Sequence, residues 1–135
     1  MRAFRIVVAA HGDLAAGLVS AAQLICGRID DLAAVGLEPA DSPESFAVRL
    51  AAAAPDPDAP VLLLTDLVGG TPHNVAFALV RRRPSAVLIS GVNLAVLMEA
   101  AMTDEALGPA LVGRLVEAGR SALSDGASLV ASRSS

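Results

Sequence analysis

The chain has 135 residues and a formal net charge of -4; 54% of it is hydrophobic, with alanine the commonest such residue, and 2% is aromatic. That is enough chain for one domain with a closely packed aliphatic core, burying about two-thirds of the surface of its unfolded form. Ten basic residues, all arginine, against fourteen acids disfavour nucleic acid and anionic membrane as partners, and the single cysteine, Cys26, excludes an internal disulfide or a Cys-rich zinc site.

The predicted elements alternate along the chain. Phe4 to Ala10 is a β-branched apolar run without strict alternation, as expected of a strand buried on both faces of a parallel sheet. It is too short to span a bilayer and no cleavage-type spacer follows it, so the expected location is the cytoplasm. After His11-Gly12-Asp13, the residues Leu14, Leu18, Ala21, Ala22, Ile25 and Cys26 recur at helical spacing, with Gly27 placed as a C-terminal cap and Cys26 as a small buried hydrophobe. Leu32 to Leu37 is a second strand. A helix follows from Asp41 as N-cap, with Glu44 three residues on, and runs towards Ala54. Pro55 to Pro60 is a surface loop.

Val61 to Asp66 is the third strand, polar only at its last two positions. The Leu67-Val68-Gly69-Gly70 turn leads into a helix with Thr71 as N-cap and Pro72 at the first helical position, ending in the solvated run Arg81 to Arg83. Ala86 to Ser90 is the fourth strand, and Asn93 caps a helix over Leu94 to Met102. A last helix spans Pro109 to about Leu123. Residues 124–135 are either a short edge strand through Ala127 to Val130 or a frayed tail. Residues 1–135 thus read as one α/β domain: a doubly wound, mostly parallel four-stranded sheet in the order 2-1-3-4, with helices on both faces.

In that order the first and third strands are neighbours at the switch point, where ligands of such sheets bind. His11 and Asp66 stand at their carboxyl ends, and an Asp accepting from one imidazole nitrogen leaves the other as an oriented nucleophile or base. Gly69-Gly70-Thr71-Pro72 feeds a helix N-terminus, whose amides and dipole suit a phosphoryl group. Each feature has a plainer reading on its own, as a turn residue, a loop cap or a turn with its cap; their convergence on one sheet edge favours a site. His11, Asp66 and His73 could together form a two-His, one-carboxylate metal site, but no further acids gather around them. His73 is better placed as a neighbour of the phosphoryl pocket or a rim residue facing a partner.

These motifs, Ala10-His11-Gly12, Leu64 to Asn74 and Ser90-Gly91-Val92-Asn93-Leu94, fall in order along nearly the whole chain. In this the sequence resembles the mannose-family IIA component of the bacterial phosphoenolpyruvate-dependent sugar phosphotransferase system (PTS). The resemblance implies a cytoplasmic homodimer, often with an exchanged antiparallel edge strand. His11 would be phosphorylated by the histidine phosphocarrier HPr and pass the group to a IIB component, with membrane IIC and IID components served indirectly. It implies Asp66 as the carboxylate orienting the ring and Gly69, Gly70 and Thr71 as the holders of the phosphoryl oxygens. No cofactor, nucleotide or obligatory metal is implied. His73 departs from the family pattern, where an aromatic residue or Asn is commoner. The alternatives are a phosphoacceptor feeding a dihydroxyacetone kinase, a module whose phosphorylation state is read by a regulatory partner, and a small metal-dependent hydrolase. His11-Gly12 and the Gly69 to Asn74 block favour the sugar system over the first.

Overall fold

The computed structural model describes residues 2–134. Four strands, β1 (Arg5–His11), β2 (Leu32–Leu37), β3 (Val61–Thr65) and β4 (Ala86–Ser90), form one parallel sheet in the order β2-β1-β3-β4. The helices are α1 (Leu14–Cys26), α2 (Pro43–Ala53), α3 (Thr71–Arg81), α4 (Leu94–Met102), α5 (Pro109–Ser121) and α6 (Gly126–Ser134). The order expected from the alternation of strand and helix is the one observed.

Because side chains alternate across a strand, the sheet builds two cores. Ile6, Val8, Ala10, Leu62, Leu64 and Ile89 pack with α1, α4 and α5 on one face. Val7, Ala9, Val35, Val61 and Leu63 pack with Phe46 and Leu50 of α2 and Ala76 and Leu79 of α3 on the other. Burial on both faces is why β1 and β3 read as continuous apolar runs. No helix among the described residues is long and apolar enough to cross a membrane.

Several local expectations are corrected. The inward face of α1 is Ala15, Leu18 and Ala22, while Leu14 and Ile25 are 46% and 60% exposed; the small alanines let the helix approach the sheet closely. Cys26 is half-buried. The N-cap of α2 is Ser42, whose Oγ accepts from Ser45 N–H while Ser45 Oγ accepts from Ser42 N–H. Asp41 instead accepts from Glu38 N–H, Ser45 Oγ and Arg49. The cap of α3 is Gly70, with Thr71 already helical. Arg83 is not merely solvated, since its Nη1 donates to Ala54 O at 2.6 Å.

The largest difference lies at the C-terminal end. Residues 126–134 are neither edge strand nor frayed tail but helix α6, whose first turn is capped by the Asp125 carboxylate accepting from Ala127 N–H, Ser128 N–H and Ser128 Oγ. Ser135, the end of that segment, lies outside the described residues. Among the described residues no antiparallel strand joins the sheet.

One close approach sets the geometry at the end of β1. A Cβ on Gly36 of β2 would lie 2.3 Å from Gly12 O, because the chain leaving β1 folds back over β2, and Gly12 N–H donates to Leu37 O at 2.9 Å. Both elements of this contact are backbone, so neither yields as a side chain would. Gly36→Ala is expected to destabilise the fold by about 2 kcal/mol, lowering the thermal unfolding midpoint by roughly 5 to 10 °C, as followed by circular dichroism. An unchanged midpoint would show that the Gly12 segment moves freely.

Candidate functional site

His11 ends β1 and Asp66 follows β3, so the switch point of the sheet brings them together. Asp66 Oδ2 accepts two hydrogen bonds from the same residue, His11 N–H at 2.9 Å and the His11 ring nitrogen Nδ1 at 2.8 Å. The Asp66 side chain is 12% exposed and that of His11 47%. Burial pushes the Asp66 carboxyl upward, but the His11 backbone N–H, its ring and its charge outweigh this and hold it below the ordinary carboxylate value. An ionised carboxylate only accepts, so Nδ1 carries a proton, and in the neutral ring Nε2 is the nitrogen left with a lone pair.

The glycine turn lies against the ring. A Cβ on Gly70 would meet His11 Cε1 at 2.7 Å and Nε2 at 3.2 Å, so only glycine leaves the imidazole its place. Gly70 N–H is spent within the turn, donating to Leu67 O at 3.2 Å, and Asn74 Nδ2 donates to Gly69 O at 3.2 Å. No side chain caps α3. Pro72 has no N–H and Asn74 N–H donates to Gly70 O, which leaves the amides of Thr71 and His73 as the open donors of the first turn. The Thr71 hydroxyl has no hydrogen-bond partner among the described residues, and Thr71 also lines a groove between α2 and α3 with Glu44 and Leu50. Exposed Leu67 and Val68 supply apolar surface at the tip of the same turn.

The arrangement thus brings His11, Asp66 and Gly70 together and gives Gly70 a steric role in place of a donor role, while Thr71 follows Gly70 at the first position of α3. Thr65 and Ser90 were not legible as site residues. Thr65 is fully buried beside Asp66, with Oγ1 3.3 Å from His73 Nδ1 and 3.2 Å from Ser90 Oγ. The two polar positions closing β3 and β4 were the available signal. His73 therefore turns towards Thr65, and among the described residues no three His, Cys, Asp or Glu are grouped to hold a metal ion.

A family model described as "PTS system fructose IIA component" matches residues 5–113. A PTS sorbose-specific EIIA component from Lacticaseibacillus casei is 28% identical over 98 residues, 72% of this chain and 71% of that protein. The PTS mannose-specific EIIAB component of Escherichia coli (strain K12) is 31% identical over 119 residues, 85% of this chain, which spans only 37% of that longer protein. Among solved structures, a mannose/sorbose specific IIA subunit from Enterococcus faecalis superposes with a TM-score of 0.85 at 31% identity, covering 93% of this chain and 95% of that one. A parallel 2-1-3-4 sheet carrying an Asp-held histidine at its switch point, with a family match spanning that whole sheet, places the chain in the mannose-type EIIA family of the PTS.

Proposed function

We propose that this protein is a phosphocarrier, accepting a phosphoryl group from phospho-HPr on His11 and passing it to a IIB component for coupled sugar uptake, with residues 1–135 acting as one EIIA domain in the cytoplasm. The observation that carries this reading is the 2.8 Å bond from His11 Nδ1 to Asp66, which leaves Nε2 free beside the glycine turn.

In the forward step the Nε2 lone pair attacks phosphorus as the bond from phosphorus to the donor's ring nitrogen breaks, and that electron pair stays with the donor. Positive charge grows on the His11 ring, and the Asp66 carboxylate stabilises it through Nδ1–H. The Thr71 and His73 amides, the Thr71 hydroxyl and the Gly69 segment are available to the phosphoryl oxygens, which carry charge in a loose transition state. The same geometry run in reverse delivers the group to IIB. The homodimer belongs to this reading. An apolar groove lined by Leu94, Met98, Met102 and Leu123, with Met102 70% and Leu123 89% exposed, offers a second copy a face to cover.

Incubation with phosphoenolpyruvate, enzyme I and HPr should add one acid-labile phosphoryl group by intact mass, absent in His11→Ala, whose fold is retained because the side chain lies outside both cores. Absence of the group from the wild type, or its persistence in His11→Ala, would overturn the proposal.

Asp66→Asn keeps the acceptor atom. Its amide oxygen must still face the His11 N–H, so the ring stays in place but loses the charge that balances it. Rapid-quench transfer from phospho-HPr should slow by about 10- to 100-fold; a wild-type rate would remove Asp66 from the mechanism. Gly70→Ala pushes a methyl group into the imidazole. The expected result is a rate about tenfold lower with little change in melting temperature, and equal rates would show that the ring has room to turn.

A further inference from the structure

Thr65 is the only fully buried polar side chain among the described residues, and it immediately precedes Asp66 at the end of β3. A hydroxyl in that position is costly unless bonded, and this one has two partners, Ser90 Oγ and His73 Nδ1. With its single proton given to Ser90, Thr65 Oγ1 accepts from His73 Nδ1–H. The His73 ring also stacks on Phe77 one turn further along α3, with centroids 6.2 Å apart and planes at 22°. His73 is therefore held on two sides.

The chain positions give this contact its meaning. Thr65 immediately precedes the Asp66 carboxylate, and His73 carries one of the two open amides at the start of α3. One side-chain bond thus spans the whole turn from 66 to 72, tying the strand that holds the carboxylate to the helix that offers the donors. We propose that His73 is a positioning residue for phosphoryl transfer, fixing the first turn of α3 relative to Asp66 and His11 through its bond to the buried Thr65 hydroxyl. The role rests on the reading of His11 as the acceptor.

The test measures phosphoryl uptake from phospho-HPr by rapid quench, and the phosphorus NMR resonance of the phosphorylated protein, in four variants. His73→Phe keeps the stack on Phe77 but has no N–H; it should slow uptake about tenfold and move the resonance, as the amides around the phosphoryl group shift. Thr65→Val, which removes the other half of the bond, should do the same. The double variant should be no slower than the slower single one, since both remove one interaction. His73→Asn, whose side-chain amide can donate from about the place of Nδ1, should return to within about threefold of the wild type. That rescue separates positioning from a general loss of packing. A wild-type rate in His73→Phe, multiplicative slowing in the double variant, or His73→Asn as slow as His73→Phe would overturn the role. If the wild type itself takes up no phosphoryl group, the phosphocarrier reading fails and this role with it; labelling of the wild type with an unaffected His73→Phe refutes this role alone.

Discussion

One carboxylate oxygen, Oδ2 of Asp66, holds the end of β1 and orients the ring that β1 delivers. Two donors of the same residue converge on it, which is possible because β1 and β3 are parallel neighbours with Ala9 opposite Thr65. In a sheet of sequential strand order β2 would lie between β1 and β3, and the two residues would be separated. The doubly wound order is therefore a requirement of the His11–Asp66 contact as much as its setting. The contact also maintains its own charge state, since the donors that position the ring are those that hold the carboxyl below its ordinary value.

Around that pair the chain solves its packing with few large side chains. Alanines face the sheet from α1, α3 and α4, so the helices sit close and the aliphatic side chains of the strands fill both cores. Helix ends are tied at the opposite edge by arginines, each offering several donors: Arg5 and Arg83 donate to Ala53 O and Ala54 O at the end of α2, and Arg2 reaches Ala101 O of α4 together with Phe4 O. A lysine, with one point of attachment, would not bridge strand and helix ends in this way. The base of the sheet is rigidly clamped.

This division explains what the sequence discloses. The strands are legible because burial on both faces leaves unbroken apolar runs, and α1 and α4 because Gly27 and Asn93 mark their ends; Asn93 Oδ1 accepts from Val96 N–H at 3.0 Å while its Nδ2 donates to Gly119 O at 2.8 Å. His11 and Asp66 are legible because polar residues closing apolar strands stand out. Contacts that depend on tertiary distance are not. The spacing of Leu14, Leu18 and Ile25 suggests an inward stripe, but the close approach permitted by Ala15 and Ala22 turns the helix by a residue. Asp41 has the chemistry of a cap, yet Ser42 and Ser45 form a reciprocal pair and free Asp41 to bind Arg49. The short Asp125–Ser128 cap is outweighed in a reading of propensity by β-branched Val130 and the polar residues around it. The Thr65–His73 bond joins residues whose adjacency only the folded turn creates.

The helix caps sharpen the functional argument. Four helices, α1 to α4, begin at the carboxyl edge of the sheet, where a parallel strand hands over to its crossover. The outer two are closed by side chains, α2 by Ser42 and α4 by Asn93. The inner two, α1 and α3, which flank the switch point, have no side-chain cap: Asp13 stands at the cap of α1 without capping it, and α3 is capped by Gly70, which has no side chain to offer. Leaving those donors open costs helix stability, and α3, whose cap Gly70 lies against the His11 ring, brings the positive end of its dipole to the histidine. A neutral substrate would gain little from such an edge. On the proposed phosphocarrier reading, an anion carried on Nε2 would find open amides at the first turn of α3 when it arrives and free them when it leaves, as suits a group held only between two transfers.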